Sequence, residues 1–309
     1  MHVDDMVRTI RGHTVLIAAT LLLGSGALAP SPTAAQVRRS DTLIAVSPNV
    51  TLRVIDRGAP DAPPVVLVPG WCFTADIWHK QIDALSGRFR VVAIDPRSQG
   101  RSTIVSDANS PEVRAADLAG LIKKLNLQRP VLVGWSQGVQ DVAAFAMAYG
   151  TADLGGVVFV DAQISAGAAG LDAQTAVMTL GRLPIYASAP REYLEVMMDY
   201  LFRKPLSEDE RRTIVLAANR TPSSIGIANL TLDLFGRDYR PAMARLAVPS
   251  LVIVAGTAPD RDAQLRQPIP HAATAVVEGA GHAVFYDEPA KFNELLARFL
   301  DEQVRGRTP

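Results

Sequence analysis

From residue 43 onward, short apolar runs alternate with longer segments in which apolar residues recur every three or four positions. The runs predict buried strands and the longer segments predict helices packed by one face. Residues 43–46 and 50–55, joined by Ser47-Pro48-Asn49, predict an antiparallel hairpin. Further strands are expected at 65–68, 90–94, 131–133, 157–160, 251–254 and 274–277. Helices are expected at 76–85 (Ile77, Trp78, Ile82 and Leu85 on one face), 111–127 (Leu118, Leu121, Ile122, Leu125), 139–149 and 289–300 (Phe292, Leu295, Leu296, Phe299). Strands separated by helices imply an α/β chain: a mostly parallel, doubly wound sheet with its site at the strands' carboxyl ends.

One stretch breaks the alternation. Residues 163–245 show helical periodicity at 173–180, 191–202, 207–218 and 225–235 and no clear strand. They fall between two strands of the C-terminal half, which predicts a helical cap over the sheet edge, beside the end of strand 157–160. The sheet core is then 41–162 plus 246–303. Met178, Met197, Met198, Leu201 and Phe202 are expected in the core, although methionine also suits adaptable apolar pockets.

The N-terminus has a different pattern. Arg8, Arg11 and His13 precede an apolar stretch of 16 residues, 14–29, and small residues follow at Thr33-Ala34-Ala35. This predicts a secretory signal peptide over residues 1–35, cleaved after Ala35 or, less favourably because Pro30 follows, after Ala29. Asp4 and Asp5 dilute its basic end. The run is short against a bilayer span of about 20 residues, so the expectation is export without stable membrane insertion.

Composition narrows the partners. The chain has 309 residues, 48% hydrophobic and 20% charged, enough to bury a large core. Lysine plus arginine (31) balances aspartate plus glutamate (31), so no nucleic acid or anionic membrane surface is called for. Cys72 is the only cysteine, which excludes an intrachain disulfide and a cysteine-based metal cluster.

The chemistry centres on Gly134-Trp135-Ser136-Gln137-Gly138, which stands between an expected strand and an expected helix. That is the context of a nucleophile elbow. A serine on so tight a turn takes a strained backbone, and side chains two positions either side would collide. Gly134 and Gly138 remove them, and backbone N–H groups at the helix start can face a developing oxyanion. A serine nucleophile needs a base. Beyond the expected leader, His79 lies in a helix and His271 in a loop, both as structural residues. His282 follows Gly279-Ala280-Gly281 after the last strand, where glycines let the loop carry an imidazole over the neighbouring strand.

With these motifs the chain resembles the α/β-hydrolase superfamily, in its capped esterase, haloperoxidase-like and lipase-like branch, over residues 41–303. The resemblance rests on the elbow, on Gly279-Ala280-Gly281-His282, and on Asp95-Pro96-Arg97-Ser98-Gln99-Gly100-Arg101-Ser102, similar to the family's Asp-x-Arg-Gly-x-Gly-x-Ser loop. It implies Ser136 as nucleophile, His282 as base, and the backbone N–H groups of Gln137 and Trp71 as the oxyanion hole. The family's His-Gly-x loop appears here as Pro69-Gly70-Trp71, Ser98 replaces a common glycine, and Val139 stands where a smaller residue is frequent. Cys72 lacks the elbow context and is expected to be a packed residue; Arg97 is expected to anchor its loop.

Two aspartates compete for the acid that orients His282. Most family members carry it after the strand matching 251–254, which favours Asp260 or Asp262; a minority place it at the position of Asp161. Asp260 sits one residue late, and the shortened segment 260–267 makes both residues candidates for acids of a helix first turn. Asp161 follows Phe159-Val160 directly and needs no adjustment, so Asp161 is favoured and Asp260 is the alternative.

Capped relatives that open epoxides or displace halide use aspartate at the elbow, so Ser136 implies acyl transfer. The expected function is an exported, cofactor-free serine hydrolase of small carboxylic esters. Lactone cleavage, haloperoxidase-like perhydrolysis and a non-catalytic ligand-binding protein on the same fold are the alternatives.

Overall fold

The computed structural model describes residues 38–162, 164, 173–256 and 269–305. The expected leader and the segment 257–268, with Asp260 and Asp262, lie outside these residues.

Strands β1 (Arg38–Ser47) and β2 (Val50–Gly58) form the expected hairpin, with Ser47 opposite Val50 across Pro48-Asn49. They are followed by β3 (Pro64–Val68), β4 (Arg90–Ile94), β5 (Val131–Trp135), β6 (Gly156–Val160), β7 (Ser250–Ala255) and β8 (Ala273–Val277). The eight strands make one sheet in the order β1-β2-β4-β3-β5-β6-β7-β8. The pairs β1–β2 and β2–β4 are antiparallel, and every other pair is parallel. Every residue of β3 through β7 is buried, which is why these strands read as unbroken apolar runs: both faces are covered. The edge strands β1 and β8 expose part of their length.

Alternate side chains feed two cores. Val65, Leu67, Val91 and Val133 pack with Trp78, Phe285, Phe292, Leu296 and Phe299. Val66, Val68, Val92 and Leu132 pack on the opposite face with Leu118, Leu121, Val139 and Val142. These apolar stripes belong to α1 (His79–Leu85) with the 3-10 turn Ala75–Trp78 before it, α2 (Pro111–Lys124) and α3 (Gln137–Tyr149), together with α9 (Val284–Asp287) and α10 (Pro289–Arg305).

Between β6 and β7 lie α4 (Ala173–Ser188), α5 (Pro190–Leu201), α6 (Glu208–Ala218), α7 (Ser223–Phe235) and α8 (Arg240–Met243). Ser207 starts α6 with a capping box, its hydroxyl bonded to the Glu210 N–H and the Glu210 carboxylate reaching back. Three expectations change. The helix expected over 76–85 is split into a 3-10 turn and α1, and α4 runs on to Ser188 through Pro184. Met178, expected in the core, is 49% exposed, whereas Met198 and Phe202 are buried.

β3 pairs with β4 on one side and β5 on the other, so the strand order reverses direction at β3, and a crevice opens at the carboxyl ends of β3 and β5. The loop after β4 is pinned there. Asp95 accepts N–H groups from Ala75 at 2.7 Å and Arg101 at 2.8 Å, and burial pushes its carboxyl pKa up. Arg97 makes a two-pronged ion pair with Asp117 of α2, both contacts at 2.6 Å, which anchors the loop as expected.

Candidate active site

β5 ends at Trp135 and α3 begins at Gln137, which leaves Ser136 alone on the turn with φ 53° and ψ −125°. Such a conformation costs a non-glycine residue about 1–3 kcal/mol and persists where the surroundings over-determine it. The surroundings do so. The Ser136 N–H donates to the Val160 carbonyl at 3.1 Å, and its own carbonyl accepts from Val139 at 2.9 Å. A Cβ on Gly134 would lie 2.3 Å from the Gly138 carbonyl oxygen, and one on Gly138 would lie 2.5 Å from that of Val68. The two glycines are therefore required by backbone, one within the turn and one against the neighbouring strand.

The loop between β8 and α9 carries His282. Its Nδ1 lies 2.8 Å from Asp161 Oδ2, with the imidazole 20% exposed and the carboxylate fully buried. Asp161 is the first residue beyond β6 and has φ 46°. Its Oδ1 accepts the Ala255 N–H at 3.0 Å, and its own N–H donates to Ile253 at 2.9 Å, so both ends of the residue are fixed to β7. The Trp135 indole N–H donates to the His282 carbonyl at 2.8 Å, and its ring packs against Phe73, Phe285 and the imidazole.

The loop after β3 approaches from the other side. A Cβ on Gly70 would sit 2.8 Å from Ser136 Cβ, so only glycine permits this approach. Gln99 Nε2 donates to the carbonyls of Gly70 at 3.1 Å and Phe73 at 2.7 Å. Because a trans peptide points its C=O and N–H in opposite directions, holding the Gly70 carbonyl on Gln99 turns the Trp71 N–H the other way. The Trp71 indole donates to the Gly226 carbonyl of α7 at 2.9 Å and stacks edge-on against Tyr186 of α4. The Gln137 side chain accepts from Arg114 of α2 at 3.0 Å and donates to the Asn229 carbonyl of α7 at 3.3 Å. The residues flanking the turn thus touch the helices between β6 and β7.

Cys72 is fully buried, and its thiol lies 3.7 Å from the Tyr186 hydroxyl. Burial pushes its pKa up to about 12, against a smaller opposing effect of the Tyr186 hydroxyl, which leaves it a poor nucleophile. His79 and His271 are exposed, and His79 bonds the Asp76 carbonyl at 3.2 Å. Sequence reasoning did not single out Trp135 and Gln99 for these bonds. Both lie inside the quoted motifs, but their partners are distant in the chain. A cavity of about 440 Å³ between the 3-10 turn and α6, lined by Phe73, Ile77, Ile214 and Tyr286 among others, includes none of Ser136, His282 and Asp161. Among the described residues no cluster of three or more His, Cys, Asp or Glu side chains could hold a metal ion, and no helix is long and apolar enough to cross a membrane.

The sequence pattern described as "Alpha/beta hydrolase family" matches residues 65–295. A pimeloyl-[acyl-carrier protein] methyl ester esterase of Edwardsiella ictaluri is 26% identical over 251 residues, 77% of this chain and 93% of that protein. A bifunctional esterase/perhydrolase of Acinetobacter calcoaceticus is 39% identical over 95 residues, 30% of this chain and 34% of that protein. Among solved structures, a bromoperoxidase from Bacillus anthracis superposes with a TM-score of 0.73 at 24% identity, covering 85% of this chain and all of that one.

Proposed function

Because the chain belongs to the alpha/beta hydrolase family, we propose that it is a serine hydrolase of carboxylic esters that works through an acyl-enzyme on Ser136. The observation that carries this reading is the 2.8 Å contact between His282 Nδ1 and Asp161 Oδ2, made beside a serine held at positive φ at the start of α3. A carboxylate only accepts, so the shared proton sits on Nδ1 and Nε2 is left as the basic nitrogen. His282 Nε2 takes the Ser136 hydroxyl proton as Oγ bonds to the ester carbonyl carbon. The carbonyl oxygen becomes an oxyanion facing the N–H groups of Gln137 and Trp71. As the carbonyl re-forms, the bond to the leaving alkoxy oxygen breaks, and the imidazolium hands that oxygen its proton. Water then attacks the acyl-enzyme by the same route and releases the acid. Asp161 fixes the tautomer and stabilises the imidazolium.

In the same reading the helices α4–α8 are a cap over the crevice. The contacts of Gly226 and Asn229 with Trp71 and Gln137 support that reading. Export through the 1–35 segment is part of the proposal, and N-terminal sequencing of the mature protein tests it. A fluorophosphonate probe tests the chemistry: the wild type should label once, at Ser136, and turn over p-nitrophenyl esters with a burst.

The esterase/perhydrolase relative supports a second reading, in which hydrogen peroxide replaces water in deacylation and a peracid leaves. Product analysis with and without peroxide and halide separates the two.

A further inference from the structure

The loop that carries His282 is fastened on two sides. Trp135 holds its carbonyl on one side. On the other lies the segment 201–204, which leads out of α5. The Ala283 N–H donates to the Leu201 carbonyl at 3.0 Å. A Cβ on Gly281 would lie 3.0 Å from both Leu201 O and Arg203 N, so the two backbones are in direct apposition. Between them sits the carboxylate of Asp287, 2% exposed, at the end of α9. Its Oδ2 accepts the N–H of Gly281 at 2.8 Å and of Arg203 at 3.0 Å, and its Oδ1 accepts the N–H of Lys204 at 3.1 Å. Lys204 adds a second tie across the same seam, pairing with Glu288 at 2.6 Å.

We infer that Asp287 is a positioning residue for His282, one that aligns the imidazole only while segment 201–204 is docked. Gly281 directly precedes His282, so the acceptor of the Gly281 N–H holds the 280–281 peptide on the entry side of His282, while Leu201 holds the 282–283 peptide on its exit side. The other two N–H groups that Asp287 accepts come from the segment between α5 and α6. Alignment of the base and seating of that part of the helical region are therefore one event, organised on a single buried carboxylate. The inference rests on the proposal that His282 is the base.

The test uses the full-length protein with Asp287→Ala and Asp287→Asn. Three quantities are measured: melting temperature, kcat per burst-titrated site with a p-nitrophenyl ester, and the downfield NMR resonance of the His282 Nδ1 proton. Asp287→Ala should lose about 100-fold in kcat per titrated site, as small misplacements of reacting groups do, with KM changed less than about threefold. Its Nδ1 resonance should broaden or vanish. Asp287→Asn keeps one acceptor oxygen for three donors and should fall in between; it decides the matter if the alanine variant does not fold. Variants that melt lower yet keep kcat per site and a sharp resonance would overturn the inference and leave Asp287 a purely structural residue. A wild type without turnover would sink the ester-hydrolase reading instead, while the resonance would still report on Asp287.

Discussion

The indole N–H of Trp135 and the carbonyl of His282 meet at 2.8 Å, so the residue directly before Ser136 steadies the loop that carries His282. Trp135→Phe keeps the ring between Phe73 and Phe285 and deletes only the donor. The expected outcome is a stability loss of about 0.5–1.5 kcal/mol for one neutral hydrogen bond. Turnover should fall by about tenfold, the factor that 1.4 kcal/mol of misalignment would give. Denaturant melts and steady-state kinetics on the same preparation check both.

Ser136→Ala should abolish fluorophosphonate labelling and lower turnover by at least about three orders of magnitude, as triad knockouts do. Cys72 should stay silent in the same experiment. With its thiol pKa pushed up to about 12 by burial, the folded protein should resist alkylation at neutral pH and react only after unfolding. Mass spectrometry of the labelled peptides reads both sites, and label on residue 72 of the folded protein would contradict the assignment.

Asp161→Asn should cost roughly four orders of magnitude in kcat, the loss seen when the corresponding acid of a serine protease becomes an amide. Asp260→Asn, made in parallel, should keep near wild-type kcat. The reverse result would move the acid to Asp260.

Gln99→Leu removes the side-chain donor to the carbonyls of Gly70 and Phe73 and leaves the Gly70–Trp71 peptide held only by the Phe73 N–H, free to tilt. Losing one oxyanion donor outright costs about 10²–10³ in kcat. A drop approaching that range, with KM little changed, is expected. Affinity for a tetrahedral boronic acid adduct should fall alongside kcat, and an unchanged affinity would place Gln99 outside the oxyanion site.

Glu210 contributes an acid-side pH dependence of stability. Hydrogen bonds from the Ser207 hydroxyl and backbone, and then from Tyr286, pull its carboxyl from 4.5 to about 2. A depressed folded pKa contributes stability above the unfolded value and loses it as the pH falls. The melting temperature should therefore decline from pH 4.5 toward 2, and Glu210→Gln should flatten that part of the profile.

Much of this architecture is legible in the sequence because strands buried on both faces must be apolar throughout. All eight strands were expected, each within a few residues except β1, which begins five residues earlier than periodicity indicated. Helices α8 and α9 escaped, since four residues hold little more than one turn and show no period. The spacing argument that favoured Asp161 over Asp260 turns on the end of β6, a feature local to the chain. The bonds from Gln99 to Gly70, Trp135 to His282 and Asp287 to Arg203 join residues 29, 147 and 84 positions apart. Pattern carries no signal for such pairs; only the folded chain brings them together.

The pairing of β5 with β6 acts as a gauge. Trp135 lies opposite Val160, and Ser136 and Asp161 are each the next residue beyond that pair. Deleting one residue from either strand would turn its side chains to the opposite face and displace one mark from the other by about 3.3 Å. The stretch from 163 to 245 begins after both marks have been set. It can be lengthened, shortened or exchanged for that of another chain without moving them, provided the seam at 201–204 is rebuilt. The scaffold thus separates a part that tolerates no change of length from one that can be recut.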